Sequence, residues 1–194
     1  MDDNIYAAPA ANLENENSNS LDNEFYVVSG KKFAALFFST MGLYAVYWYY
    51  KNWSLYKGRH NADLWPVPRA FFSIFFIHSL FEKVHTKLVL SNVEVNWNYQ
   101  SHATVLLLIQ IFSNLLDRLA YKGIGSPITD IVSLLSLLPL GWQFYRVQVM
   151  INRSCQDAKG SRNAEFTTAN YLWIAIGLFF WVTSIYFLIV DPAP

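Results

Sequence analysis

Three side chains with metal-binding chemistry recur at helical spacing near the middle of the chain. His78, Glu82 and His85 stand at positions i, i+4 and i+7, which places them on one face of a helix. The Glu-x-x-His spacing is used by carboxylate-bridged metal sites in helical bundles, and His60 or His102 could add a ligand for zinc or iron. No second motif of this kind is present, and an amphipathic helix needs a polar face in any case. The sequence therefore predicts no metal and no other cofactor.

A second group of polar residues lies in apolar surroundings, where ionisable side chains are costly and often functional. It comprises Asn114, Asp117 and Arg118 near the end of one apolar stretch, and Gln143 and Arg146 near the end of the next. Asp117 could serve a proton or ion path, and Arg146 could bind anionic lipid. Alternatively, Asp117 and Arg118 reach the headgroups while Asn114 bonds to a neighbouring helix. The sequence favours this second interpretation.

Other catalytic signatures are absent from the sequence. It contains no Gly-x-x-x-x-Gly-Lys-Ser/Thr phosphate loop, no Gly-x-Ser-x-Gly elbow, no Cys-x-x-Cys pair and no His-Glu-x-x-His zinc motif. The single cysteine, Cys155, cannot form an internal disulfide. We therefore assign no catalytic residue, and the sequence favours a protein that is not an enzyme.

Composition and charge indicate a membrane protein. The chain is 54% hydrophobic and 14% charged, whereas about a quarter of the residues in a typical soluble domain are charged. Residues 1–24 hold six acidic residues and no Lys or Arg, which leaves a net charge of +6 on the remainder. This Asn-rich tail is predicted to be disordered, because it has too little apolar surface to offset the entropy lost on ordering. Residues 25–194 are predicted to form a membrane domain.

Long uncharged stretches predict an all-α bundle of about four membrane spans. Residues 33–50 carry no charge, and a helix of that length measures roughly 27 Å, close to the thickness of the hydrocarbon core. Further spans are predicted at 103–121, 128–149 and 166–190. Residues 67–90 have only twelve uncharged residues between Arg69 and Glu82. They are predicted to form an interfacial or re-entrant amphipathic helix, and a fifth span is the alternative.

Two predicted polar loops, 52–64 and 152–166, share a motif. Both contain Asn-x-Ser followed by Lys-Gly-x-x-Asn-Ala and an acidic residue. Because each loop joins two apolar helices, the pattern predicts duplicated helix-loop-helix units over 33–90 and 128–190, with chance similarity as the alternative. The shared residues are Asn52, Ser54, Lys57, Gly58, Asn61, Ala62 and Asp63 in the first loop, and Asn152, Ser154, Lys159, Gly160, Asn163, Ala164 and Glu165 in the second.

The distribution of basic residues predicts an orientation. Four spans place ten Lys and Arg residues on one side and four on the other, whereas five spans give eight against six. Because Lys and Arg gather on the cytoplasmic side, we predict four spans with both termini outside. The four residues on the outer side are then Lys31, Lys32, Arg118 and Lys122.

The segment GLYAVYWYYKNW at 42–53 resembles the signature GLY-x-x-YW-x-YK-x-W of small, uncharacterised bacterial inner-membrane proteins grouped as a domain of unknown function. The segments at 69–81 and 113–119 are also similar to parts of such proteins. The resemblance implies a multi-pass protein of the bacterial cytoplasmic membrane. It implies no reaction, substrate or cofactor.

The sequence favours a non-enzymatic accessory or interaction protein. Its partners would be the lipid bilayer, including anionic headgroups, and a membrane protein or a second copy of the chain. Nucleic acid is not expected, because the basic and aromatic residues at 51–69 lie beside a predicted span and suit a membrane surface. A small transporter or channel is the alternative, and a metal-dependent membrane enzyme is the second alternative.

Overall fold

The computed structural model describes residues 24–94 and 96–190, and all regular secondary structure in these ranges is helical, which confirms the predicted all-α class. The predicted disordered tail lies outside the described residues except for Glu24, which is buried. The α-helices are α1 (Gly30–Ser39), α2 (Tyr44–His60), α3 (Pro66–Phe71), α4 (Ser73–Leu90), α5 (Tyr99–Tyr121), α6 (Ile128–Ser154) and α7 (Thr168–Val190), and a 3-10 turn covers Ser161–Asn163.

The predicted first span, residues 33–50, is not a single helix. It is divided between α1 and α2 by a reversal at residues 40–43, which we call the hairpin tip. Met41 and Gly42 have φ angles of 52° and 83° there. A positive φ interrupts a right-handed helix, and glycine adopts it at little cost. The prediction was wrong because hydropathy registers an uncharged stretch and not a backbone reversal within it.

Hydrogen bonds close the hairpin tip. The Thr40 hydroxyl donates to the carbonyl of Leu36 at 2.7 Å and accepts from the N–H of Tyr44 at 3.1 Å. The N–H of Gly42 donates to the carbonyl of Phe37 at 2.8 Å. These bonds satisfy backbone groups that the two helix ends would otherwise leave unpaired, so α1 and α2 form a short helical hairpin.

The first predicted polar loop, 52–64, is helical as far as His60. Asn52 and Trp53 are fully buried, so this part of α2 packs in the core although its sequence is polar. Asn61 then ends the helix with a left-handed φ of 46°. The loop prediction was wrong here because it rested on polar composition, which does not distinguish a loop residue from a buried polar residue such as Asn52. The second predicted loop is likewise helical at its start, since α6 continues to Ser154.

A non-helical segment at residues 24–29 runs between the ends of α2 and α6. Phe25 and Val28 are almost completely buried in it. Buried backbone N–H and C=O groups need partners, and in the described chain no β-strand lies alongside to provide them. The partners come from side chains.

Four side-chain amides bind this segment and form what we call the amide clamp: Asn52, Gln148, Asn152 and Asn163. Asn152 accepts from the N–H of Val28 at 3.3 Å and donates to its carbonyl at 2.9 Å. At Tyr26, the N–H donates to Asn52 at 3.0 Å and the carbonyl accepts from Gln148 at 3.0 Å. The amides therefore replace the hydrogen bonds that a neighbouring strand would make.

Charged side chains gather beside the clamp at one end of the molecule, which we call the base. The Glu24 carboxylate lies 3.0 Å from Lys87 Nζ and 2.8 Å from His60 Nε2. Lys32 Nζ donates to the Asn163 side chain and to the Glu165 carbonyl, each at 2.6 Å. The start of α1, the ends of α2 and α4, and the loop after α6 therefore all meet at the base.

These contacts show that two segments leave the base and return to it. The first runs from Lys32 through the hairpin tip to His60, and the second runs through α3 and α4 to Lys87. Helix α3 begins at Pro66, whose missing N–H suits a first helical position. This agrees with the predicted start near Val67, and Phe72 separates α3 from α4.

Helices α5 and α6 lie antiparallel over most of their length. His102 Nε2 lies 3.2 Å from the carbonyl of Gln143 near the base, and Ser133 donates to the carboxylate of Asp117 near the opposite end. The helices predicted at 103–121, 128–149 and 166–190 correspond to α5, α6 and α7, each with bounds shifted by a few residues.

Helices α5 and α7 are long and apolar enough to cross a membrane. Each has 23 residues, with mean hydropathies of 1.4 and 2.2, and at 1.5 Å per residue each measures about 34 Å. Gly177 is the only buried residue of α7. Helix α7 is apolar on all sides and is hardly covered by protein, which suits a lipid environment. Together with the length and hydropathy of α5, it indicates a membrane location.

The amide clamp generates a first prediction. Asn152→Ala removes both bonds to Val28 and a bond from Gln148 (2.7 Å). Each buried polar group left without a partner costs about 1–3 kcal/mol, so the free energy of unfolding should fall by roughly 2–5 kcal/mol. The melting temperature of the protein in detergent, followed by tryptophan fluorescence, measures the loss. Asn96→Ala at an exposed asparagine is the matched control, and equal melting temperatures for the two variants would contradict the role of the clamp.

Candidate functional site

A cavity of about 430 Å³ lies between the hairpin tip and the middle of α5 and α6. We call it the polar cavity. Every side chain that α5 contributes to its lining is polar, whereas the hairpin tip and the start of α2 contribute mainly apolar groups. The polar residues are Tyr49, Ser73, Gln110, Ser113, Asn114, Asp117, Ser133 and Ser136, and the larger apolar residues include Met41, Leu43, Val46, Leu137 and Phe144.

Helical periodicity aligns the polar groups of α5. Gln110, Ser113, Asn114 and Asp117 stand at i, i+3, i+4 and i+7, so they share one face of the helix. Asn114 and Asp117 are predicted from the sequence, whereas Gln110 and Ser113 are not, although the same spacing reveals them. Tyr49 carried no such signal, because it lies among four other aromatic residues between 44 and 50.

Three residues of the lining hold buried polar atoms without a hydrogen-bond partner among the described residues. These atoms are the Tyr49 hydroxyl, the side-chain carbonyl of Gln110 and the Ser113 hydroxyl. Tyr49 is only 1% exposed. Its hydroxyl lies beside the Gln110 side chain, close to hydrogen-bonding distance, but the geometry between the two groups does not make a hydrogen bond. Such atoms are rare in folded proteins and point to a partner supplied by water or by a bound molecule.

Asp117 is the only charged residue in the lining of the polar cavity, as far as the described chain shows. Its carboxylate accepts a hydrogen bond from the Ser133 hydroxyl, which fixes its direction. The Asn114 side-chain amide donates to the backbone carbonyl of Gln110 at 2.9 Å, one turn earlier in the helix. Asn114, Asp117 and Arg118 are all exposed, but only Asn114 and Asp117 line the cavity. Asp117 therefore lies at the edge of the cavity, where it also reaches the surface.

A second cavity, of about 300 Å³, lies on the other side of the hairpin tip, against α7. Its lining includes Leu36, Tyr44, Trp173 and Phe180 and is mostly apolar. The tip therefore separates an apolar cavity from the polar one.

The other predicted polar residues lie elsewhere. The backbone carbonyl of Gln143 lies 3.2 Å from His102 Nε2. The Trp97 indole donates to the other ring nitrogen of His102, Nδ1, at 2.8 Å. Arg146 is exposed one turn further along α6. The structure does not bring Gln143 or Arg146 into the polar cavity with Asp117.

The metal-ligand candidates make other contacts. His78 Nε2 lies 3.1 Å from the Thr104 hydroxyl, and the His85 ring packs on the Tyr99 ring with centroids 4.7 Å apart. The Glu82 side chain is exposed. Across residues 24–94 and 96–190, no three His, Cys, Asp or Glu side chains are grouped so that they could hold a metal ion.

The residues of the repeated motif lie at or near the base. Asn52, Asn152 and Asn163 belong to the amide clamp, and Lys57 Nζ donates to the Leu64 carbonyl at 2.9 Å. The buried Ser154 donates to the carbonyl of Ile151. Gly58, Asn61, Asp63, Lys159, Ala164 and Glu165 are exposed, whereas Ser54 and Ala62 are half-buried and Gly160 is buried. The asparagines that begin the two copies of Asn-x-Ser thus both bind residues of the 24–29 segment, and the duplication itself stays a prediction.

Gly177 gives a test of how α7 meets the hairpin tip. A Cβ there would overlap the Ser39 carbonyl and come within 2.9 Å of Thr40 Cα. These are backbone atoms that cannot move aside. We expect Gly177→Ala to lower the melting temperature in detergent and to increase proteolysis between α6 and α7. Gly58→Ala is the matched control, because nothing lies within 4 Å of a Cβ at that helical position. It should be neutral or stabilise by about 0.5–1 kcal/mol, and equal effects of the two variants would contradict the close contact.

Comparison with protein-family profiles, curated proteins and solved structures finds no match to this chain. The resemblance to the bacterial inner-membrane family therefore stays a prediction, and the function has to be argued from the cavity and its surroundings.

Proposed function

We propose that this protein is a multi-pass protein of the bacterial cytoplasmic membrane that carries or conducts a small polar solute through the polar cavity. The observation that supports this function is the hairpin tip. Its non-helical backbone reaches the middle of α7, where Ser39 and Thr40 contact Gly177. Irregular backbone is tolerated within a bilayer only where protein buries it or a water-filled cavity adjoins it. Transporters use such broken helices to bind substrates near the midplane.

The proposed topology has three crossings, by α5, α6 and α7. Helix α6 is included because its residues 133–143 lie beside α5 between Asp117 and His102, so this part of α6 covers the same depth. The hairpin of α1 and α2 and the segment of α3 and α4 enter from the base and return to it. Helix α1 has ten residues and reaches about 15 Å, which is half the thickness of the hydrocarbon core.

This topology strengthens the charge asymmetry. Lys32 bonds to Asn163 and Glu165, so Lys31 and Lys32 move to the side of the second loop. The four-span topology places ten Lys and Arg residues on one side of the membrane and four on the other. With Lys31 and Lys32 moved, the numbers become twelve and two. Because the basic side faces the cytoplasm, we place the base and residue 24 there and the end of α7 outside. This proposal replaces four spans with both termini outside.

The accessory role predicted from the sequence is the second candidate function. The observation in its favour is the charge asymmetry, because the side of the molecule that holds the base carries twelve Lys and Arg residues in this topology and would lie beside the anionic cytoplasmic leaflet. It does not account for a polar cavity in the apolar part of the molecule. A metal-dependent enzyme has no comparable support, because His78, Glu82 and His85 make separate contacts.

Cysteine accessibility tests the topology. Single cysteines replace Lys31, Ser161 and Lys122 in a Cys155→Ala background, and intact cells are treated with a membrane-impermeant maleimide. We expect position 122 to react, and positions 31 and 161 to react only after permeabilisation. Labelling of 31 and 161 from opposite sides would contradict the re-entrant hairpin, because it would require the chain to cross between them.

Uptake into proteoliposomes tests the function. The wild-type protein should accelerate entry of at least one solute in a panel of small polyols, amino acids and amines, compared with empty vesicles. The double variant Tyr49→Phe and Gln110→Leu should reduce that rate at least tenfold, because it removes two polar groups of the cavity. Asn96→Ala should keep the wild-type rate. If no solute enters faster than in empty vesicles, the accessory role becomes the better proposal.

A further inference from the structure

We infer that the polar cavity binds a small organic cation, with an ammonium head near Asp117 and a short apolar body against the hairpin tip and α6. This inference rests on the proposed function and adds the chemical class of the solute. Three independent features of the cavity support it: its charge, the kind of hydrogen-bonding groups left unpaired, and its size.

The charge of the lining favours a cation. Asp117 supplies one negative charge, and no Lys, Arg or His from the described part of the chain lines the cavity to balance it. The Ser133 hydroxyl donates to one carboxylate oxygen, Oδ1, while an ionised carboxylate has about four acceptor positions on its two oxygens. An anionic solute would meet a repulsive charge and no basic side chain, so it is excluded.

The unpaired polar atoms favour a hydrogen-bond donor. The side-chain carbonyl of Gln110 can only accept hydrogen bonds, and the hydroxyls of Tyr49 and Ser113 can accept as well as donate. An ammonium group has three N–H donors and no acceptor. It therefore suits a lining in which these three oxygens are covered by protein and have no hydrogen-bond partner among the described residues. Tyr49 itself is 1% exposed, so a small side-chain movement would bring these oxygens to the ligand.

The size of the cavity favours an organic cation over a metal ion. Its volume of about 430 Å³ lies in the range of small-molecule sites, roughly 300–1,000 Å³, and a single water takes about 30 Å³. A bare ion would leave most of this space empty. Leu137, Leu140 and Phe144 give the cavity an apolar side, which would cover the body of an amine, and aromatic rings also attract ammonium groups.

Binding of a charged probe and a neutral probe of equal length tests the inference. The full-length protein in detergent is titrated with n-butylammonium, n-butanol and Na⁺ at pH 7, and binding is followed by calorimetry and by the melting temperature. We expect n-butylammonium to bind and to raise the melting temperature, with at least tenfold lower affinity for n-butanol and no effect of Na⁺ at the same concentration.

Variants assign the preference to the cavity. Asp117→Asn should weaken n-butylammonium binding at least tenfold and leave n-butanol binding unchanged. Asp130→Asn, the same change at an aspartate outside the cavity lining, should bind as the wild type does. If Asp117→Asn does not elute as a single species in size-exclusion chromatography, Ser133→Ala serves as the second variant. It leaves the Asp117 carboxylate charged but removes the hydrogen bond that orients it, and it should weaken binding by a smaller factor. Tyr49→Phe should weaken it as well.

Two results would overturn the inference. Equal affinity for n-butylammonium and n-butanol would show that the cavity does not select a cation, while solute uptake through it could still be measured in proteoliposomes. Binding of n-butylammonium that Asp117→Asn and Asp130→Asn weaken equally would place the ligand elsewhere. Uptake of a neutral solute without ammonium preference would therefore separate failure of the ligand class from failure of the proposed function.

Discussion

The structure depends on the pairing of a buried backbone by side-chain amides. Residues 24–29 form no helix and are largely buried, and the described chain provides no strand beside them. In an apolar environment the unpaired N–H and C=O groups would cost several kcal/mol, so the segment can occupy this place only because the amide clamp binds it. Once bound, it brings Glu24 to His60 and Lys87 and carries Lys32 to the second loop. The two re-entrant segments follow from these contacts.

Polar groups are used in opposite ways at the base and at the hairpin tip. At the base, Gln148 donates to Asn152 and accepts from the Trp48 indole at 2.5 Å, so its amide is satisfied on both sides. Fully satisfied buried networks rigidify a fold. In the polar cavity, Tyr49 and Ser113 have no such partner in the described chain. The molecule thus combines a rigid end that sets the position of the helices with a central region that still has hydrogen-bonding capacity to offer a ligand.

Hydropathy and helical periodicity predicted the parts of this fold that meet lipid. Helices α5 and α7 follow from uncharged stretches, because crossing a bilayer requires length and apolar composition and little else. Hydropathy did not predict the hairpin tip, because the chain reversal at Met41 and Gly42 does not alter the apolar character of the stretch. It also failed at Asn52 and Asn152, whose repeated pattern was visible although its purpose was not. A side-chain amide that replaces a strand is a tertiary contact over more than a hundred residues for Asn152 and Val28, and no local pattern encodes it.

For a related reason, only the α5 side of the candidate site could be predicted from the sequence. Asn114 and Asp117 were found because polar residues in an apolar helix are costly, and periodicity would have added Gln110 and Ser113. The other residues of the site come from the hairpin, which reaches the cavity because the chain turns back at residues 40–43. Residues of the turn and of the start of α2 line one side of the space, opposite α5 and α6. The break in the first predicted span therefore supplies one wall of the cavity, and the one carboxylate on α5 gives that cavity its charge.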